Sequence, residues 1–217
     1  MLSKIKNYIT DNTGILTRLD DIAENMNWDL MKKLELLFEK YGIKPIEVAR
    51  FKRNSEDVAK ALTQLKQSKA TAICMVGTYK PLAEFINTGY QQGFTPDYTA
   101  VSFASSHELY KRINHPSNIM VTEVVPDPNR CDNAWCVQFN EDIKPYQRKA
   151  NRIIFEGYLN AVALVSAAQK CSPPLNNQCL LSKLNALFEE DTDFAKLFSE
   201  RTGNSDKKIY RSYFKSN

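Results

Sequence analysis

Ala70-Thr71-Ala72-Ile73-Cys74-Met75-Val76, followed by Gly77-Thr78-Tyr79-Lys80-Pro81-Leu82, decides the fold. The first seven residues are apolar on both alternating faces. A strand reads that way when helices cover both sides of its sheet, as in a central parallel strand. The run ends at Gly77, and Pro81 fits the first turn of a helix, where a missing N–H costs nothing. Leu82, Phe85, Ile86 and Tyr90 carry that helix forward and Gly93 stops it. Outward from this unit the alternation repeats. Ile46–Phe51 alternates as a short strand. Ser55, Glu56 and Asp57 open a helix whose buried stripe is Val58, Ala61, Leu62 and Leu65, with the acids at the positive end of its dipole. Tyr98–Phe103 reads as a strand, Ser105 and Ser106 cap a short helix with Leu109, Tyr110 and Ile113, and Ile119–Val125 is a further strand. The middle of the chain is therefore β-α-β-α-β-α-β, which implies a parallel sheet with right-handed crossovers.

The flanks are helical. Leu30, Leu34, Leu37, Phe38 and Tyr41 recur at helical spacing, ended by Gly42 and Pro45. Pro126–Pro145 reads mostly as loop. A long helix is expected over about Gln147–Lys170, apolar on more than one side, then a break at Pro173-Pro174 and a helix with Leu180, Leu181, Leu184, Leu187 and Phe188. Ile209–Phe214 suits a last strand.

The chain has 217 residues, 43% hydrophobic and 25% charged, an ordinary globular balance that excludes disorder as the main state. A net charge of +4, spread along the chain, gives no reason to expect nucleic acid. The longest apolar stretch, Ala161–Ala168, falls far short of the ~20 residues of a membrane span. Met1–Tyr8 has positive charge without an apolar h-region, so the expected location is cytoplasmic, or that of a fragment of an exported protein. Five cysteines, an odd number without CxxC spacing, favour free thiols, although Cys131 and Cys136 are close enough to pair in a loop.

Enzymatic chemistry finds little support. His107 follows Ser105 and Ser106, but the serines read as helix caps and the histidine as an exposed first-turn residue. No GxSxG, HExxH, P-loop or GxGxxG string occurs. Asp20-Asp21 lacks a third carboxylate at metal-loop spacing and reads as a solvated turn. The promising constellation lies where parallel sheets take ligands, at the carboxyl ends of the strands. Gly77-Thr78-Tyr79-Lys80, Ser102-Phe103-Ala104-Ser105-Ser106 and Thr122-Glu123 all fall there. Helix-start N–H groups and hydroxyls suit a carboxylate, and ring faces suit an ammonium. A small polar or zwitterionic ligand fits that chemistry. The competing reading has Thr78 and Ser105 as caps and the rings as packing.

These residues also carry a resemblance. Met75-Val76-Gly77-Thr78-Tyr79-Lys80-Pro81-Leu82-Ala83-Glu84-Phe85-Ile86 is similar to a stretch of bacterial periplasmic solute-binding proteins of the leucine/isoleucine/valine-binding type, the receptors of branched-chain amino acid ABC transporters. Val48–Ser55 with Asp57-Val58, Val101–Ser105, Val121–Pro128 and Phe155–Ala161 match in the same order. The resemblance implies a non-enzymatic, cofactor-free protein of the type I periplasmic-binding fold, with two α/β lobes and a ligand clamped between them by hinge closure. The α/β architecture expected here is a three-layer, parallel-sheet lobe plus a C-terminal remnant of the other lobe. The implied parts are an N-terminal extension over 1–19, lobe two over 20–145, and helices and tail of lobe one over 146–217. The implied ligand-binding residues are Thr78, Tyr79, Ser102, Phe103 and Ser105.

Two departures stand out. Leu19-Asp20-Asp21-Ile22-Ala23-Glu24 lacks the aromatic and glycine that follow an Asp-Asp pair in the family, and the family's first half has no counterpart. Without that half the helix around Ile153–Ala168 shows apolar surface to water. Leaving ~400 Å² exposed forgoes about 10 kcal/mol, comparable to a domain's stability. A cover is therefore expected: a second copy of the chain in a homodimer, a partner with the other half, refolding onto lobe two, or Leu2, Ile5, Tyr8 and Ile9 at helical spacing. Two functions follow. One is a solute-binding module, truncated or degenerate; the other is an interaction, effector or regulatory protein that reuses the fold without binding solute.

Overall fold

The computed structural model describes residues 13–19, 36, 38–52, 54–198 and 208–214. The periodic Leu2–Ile9 stretch, the Asp20-Asp21 turn and most of the Leu30–Leu37 stretch lie outside them. The strands are β1 (Thr13–Leu19), β2 (Glu47–Lys52), β3 (Ala72–Val76), β4 (Asp97–Ala100), β5 (Ile119–Glu123) and β6 (Tyr210–Tyr213). They form one six-stranded sheet in the order β2-β1-β3-β4-β5-β6. β1 pairs in parallel with β2 and β3, and β3, β4 and β5 pair in parallel in turn. Between the strands lie α1 (Ala59–Gln67), α2 (Tyr79–Gln91) and α3 (Ser106–Tyr110). The fold is mixed α/β on a mostly parallel sheet, as expected.

All five residues of β3 are buried, and they divide between two cores by strand alternation. Ile73 and Met75 join Leu16, Ala49, Phe51, Leu62, Leu65, Leu82 and Phe85, the core beneath α1 and α2. Cys74 and Val76 join Ile15, Phe38 and Met120 on the opposite face, with Tyr41 and Ile43 packed against them. That is why the run reads apolar throughout.

β1 has no counterpart among the strands expected from the sequence. It is the neighbour of β3, with Leu16 opposite Met75. Gly14 is required there by close approach: a Cβ would stand 2.6 Å from Leu65 Cδ2 and 3.2 Å from Ala70 Cβ. β4 is shorter than expected. The backbone leaves the sheet after Ala100 and turns through a 3-10 helix, Ser102–Ala104, so Ser102 and Phe103 lie beyond the strand.

The chain divides into two compact units, one through residue 122 with the residues from 211 onward, the other over 123–210. The second, here unit 2, is helical: α4 (Ala134–Ile143), α5 (Arg152–Gln169), α6 (Asn177–Glu190) and α7 (Thr192–Phe198). Three of these start on an asparagine cap. Asn133 accepts from Trp135 N–H at 2.9 Å, Asn151 from Ile154 N–H at 3.1 Å, and Asn176 from Cys179 N–H at 2.9 Å. The Asn151 cap starts α5 five residues later than the periodicity suggests, because Gln147 adopts φ +52° and cannot be helical. α4 packs with the helices that follow it: Phe139 meets the rings of Phe155 and Tyr158 at 5.0 and 5.2 Å. The buried side of α5 is Phe155, Leu159 and Ala167, while Ile153, Leu164 and Val165 are each about half exposed.

The expectation of free thiols is corrected. Cys131 pairs with Cys136 and Cys171 with Cys179, leaving Cys74 as the free cysteine. Short, local loops bring both pairs together, which an odd count and the spacing rules do not reveal. Among the described residues, no helix is long and apolar enough to cross a membrane.

Candidate functional site

The parallel register builds the site. Met75 stands opposite Ala100, and Ala100 opposite Val121, so β3, β4 and β5 end side by side. The two connections that leave β3 and β4 carry all five candidate residues.

After β3, Thr78 occupies the N-cap position of α2 in extended backbone, φ −78° and ψ 161°. Its side chain makes no cap hydrogen bond and is exposed. The first turn of α2 holds no acidic residue, so its helix-start N–H groups, already short of partners by helix geometry, face no carboxylate of their own turn. Gly77 lets this turn sit tightly on the core, since a Cβ there would lie 2.9 Å from Phe51 Cζ and 3.2 Å from Leu82 Cδ2. Tyr79 is half-buried against the core beneath α1 and α2. The guanidinium carbon of Arg112 lies 5.0 Å from the centre of its ring. One ring face is therefore already engaged by a cation. The sequence offered no sign of this: Arg112 stands among polar positions after α3 and reads as solvated.

After β4, Ser102 is half-buried, Phe103 is 56% exposed, and Ser105 adopts φ 55° and ψ 85°. Left-handed backbone at a non-glycine residue is strained and clusters at functional sites. The Ser105 hydroxyl is buried and has no hydrogen-bond partner among the described residues. Its main-chain carbonyl, not its hydroxyl, accepts from Leu109 N–H at 2.9 Å and Glu108 N–H at 3.1 Å. Neither Thr78 nor Ser105 thus caps its helix through the side chain. Ser106 is buried, and His107 lies 3.9 Å from Glu108. Glu108 is held below the ordinary carboxylate range by a hydrogen bond from Lys111. Thr122, the penultimate residue of β5, is buried and donates to the Ala100 carbonyl at 3.4 Å, which ties it into the sheet.

Unit 2 has a surface cleft of about 950 Å³ lined by Phe139, Asp142, Ile143, Tyr146, Arg148 and Tyr158. Tyr158 donates to Asp142 at 2.6 Å, which with a bond from Gln138 holds that carboxyl low, while burial first and the Asp142 bond second push the phenol up to about 12. None of the five candidates lines this cleft.

Helix starts and hydroxyls gather at the carboxyl ends of this parallel α/β sheet, the place where open α/β sheets in general take ligands. The chain belongs to the periplasmic binding protein family, whose model matches residues 23–213. No curated protein matches it. Among solved structures it is similar to a possible leucine/isoleucine/valine-binding protein from Rhodopirellula baltica SH 1, with 20% identity and a TM-score of 0.80, over 100% of this chain and 61% of that one. It is also similar to the leucine binding protein LivK from Thermotoga maritima MSB8, at 18% identity and a TM-score of 0.66, over 84% of this chain and 52% of that one. A third is LivJ from Streptococcus pneumoniae, a branched-chain amino acid transporter substrate binding protein solved with isoleucine, at 15% identity and a TM-score of 0.66, over 92% and 56%. The chain thus spans between about half and three fifths of the length of these relatives.

Proposed function

We propose that the chain is a non-enzymatic binding protein for a small, amino-acid-like ligand, held at the carboxyl ends of β3 and β4 by Thr78, Tyr79, Ser102, Phe103 and Ser105. The observation that carries this reading is the pair of hydroxyls left over by the fold. Thr78 and Ser105 sit where helix caps belong, and neither side chain caps. A buried hydroxyl without a partner costs free energy of roughly 1–3 kcal/mol, which a ligand oxygen would recover. The start of α2 adds N–H groups for a carboxylate. Tyr79 then acts as a wall of the site, oriented by Arg112, with its other face and edge toward the ligand.

The reading treats residues 20–145, with β1 in their sheet, as one lobe and 146–217 as helices and tail of the other. The half-exposed Ile153, Leu164 and Val165 on α5 favour a cover, and a second copy of the chain is the first choice. Location in an oxidising compartment outside the cytoplasm is supported by the family and by two disulfides.

A thermal-shift screen with the common amino acids, their amides and aromatic acids tests this function. Binding of one class raises the melting temperature, by an amount that grows with the logarithm of ligand concentration above Kd, and Tyr79→Ala abolishes the rise. Silence across the whole set favours the second reading, an interaction or regulatory protein that has kept the fold and lost the solute. The exposed apolar side of α5 is the observation on that side.

A further inference from the structure

Both disulfides fall within 123–210, and they hold different parts of the same helical unit. Cys136 is fully buried in α4, in the core cluster with Phe139, Phe155 and Leu159, and its bridge to Cys131 fixes the loop that enters that helix. Cys171 is 9% exposed just beyond α5, and its bridge to Cys179 clamps the turn between α5 and α6. The core these bridges serve is small. Among the described residues its cluster has eight buried members, one of them Cys136 itself, against 22 in the larger cluster of the sheet unit. Small cores lean on covalent staples, and unit 2 also leaves apolar side chains of α5 in water. The sheet unit is held differently. Its cysteine, Cys74, is 3% exposed in β3 and bonded to nothing covalently. Burial pushes that thiol up to about 11. The thiolate is the form that attacks a disulfide, so Cys74 is a poor participant in exchange at neutral pH.

We propose that the two disulfides make the fold of unit 2 conditional on oxidation, while the sheet unit holds its fold in either redox state. In the forward step a thiol oxidase or a disulfide-donating oxidoreductase accepts two electrons per bridge. Two S–H bonds give way to one S–S bond and two protons leave. In reverse, a dithiol reductant supplies two electrons and two protons to each bridge, two thiols form, and the reductant closes into its own cyclic disulfide. The chain therefore carries one redox-sensitive unit and one redox-indifferent unit, independently of whether any solute binds.

Hydrogen exchange read by mass spectrometry on the full chain, before and after dithiothreitol, tests this. Peptides from α4, α5 and α6 exchange at least tenfold faster after reduction, and peptides from β3 and α2 keep their rates. Alkylation gives the second readout: one cysteine reacts in denaturant without reductant, and four more react once reductant is added. Cys131→Ser with Cys136→Ser, and Cys171→Ser with Cys179→Ser, reproduce the loosening of unit 2 without reductant. Five reactive cysteines in denaturant alone overturn the proposal. So does unchanged exchange in unit 2 after reduction, or an equal rise in both units.

Discussion

The guanidinium of Arg112 lies over the ring of Tyr79, 5.0 Å from its centre. The contact joins the residue after β3 that the resemblance favours to one that follows α3, and it fixes how the ring stands at the start of α2. An exposed cation–π contact of this kind contributes about 0.5–1 kcal/mol.

Arg112→Ala accordingly lowers stability by about 0.5–1 kcal/mol, measured by urea unfolding, and weakens ligand binding several-fold because Tyr79 loses its support. Tyr79→Ala removes a half-buried aromatic and costs about 2 kcal/mol, with binding reduced more than tenfold. Equal affinity in both variants and the parent chain would exclude Tyr79 from the site.

Gly77→Ala places a methyl 2.9 Å from Phe51 Cζ and 3.2 Å from Leu82 Cδ2. Phe51 is 4% exposed and Leu82 fully buried, so neither has open space to move into. Overpacking of that kind costs about 1–3 kcal/mol. Equilibrium denaturation measures it, and an unchanged midpoint would show that the turn after β3 is looser than described.

Phe155→Ala opens unit 2 between Phe139 and Leu159, all three of them buried, and costs about 3–5 kcal/mol. Leu164, on the other side of α5, is 53% exposed. Leu164→Asp leaves the fold of the chain intact but disrupts whatever covers that side. Light scattering at micromolar concentration finds a dimer of the parent chain and a monomer of the variant; a monomeric parent chain rejects the second copy as the cover.

Cys74 links stability to alkaline pH. Burial raises its thiol from 9.0 to about 11, against a smaller lowering by the Thr99 hydrogen bond. The folded chain keeps the proton where the unfolded chain gives it up. The stabilisation is therefore complete below pH 9 and is lost as pH rises through 11, at a limiting slope of about 1.4 kcal/mol per pH unit. Cys74→Ala flattens that part of the stability profile. The same slope in both chains would remove Cys74 as the cause.

The parts of the fold that were legible in the sequence are those whose side chains answer to two neighbours at once. Ala72–Val76 must satisfy a core on each face, so it has no polar position and reads as a central strand. Leu82, Phe85 and Ile86 face one core only, so they show a helical period. β1 escaped because its described residues open with Thr13 and Gly14, and Gly14 exists for the approach of Leu65 rather than for strand propensity. The bend after Ala100 was hidden because Val101 and Phe103 continue an apolar pattern that the backbone abandons. The positions of Thr78, Ser102 and Ser105 at strand ends were legible from the β-α alternation. That their hydroxyls cap nothing was not, since serine and threonine before a helix ordinarily cap it. The disulfides were hidden by counting: an odd total said nothing about two local pairs.

The central claim is a ligand at the ends of β3 and β4, and a nitrogen-15 NMR titration of the full chain with the amino acid that gives the largest thermal shift, or with isoleucine if none does, tests it most directly. The account predicts saturable shifts of the amides of Thr78, Tyr79, Lys80 and Ser102–Ser105, absent in Tyr79→Ala. No shifts up to millimolar ligand, or shifts confined to 123–210, would contradict it.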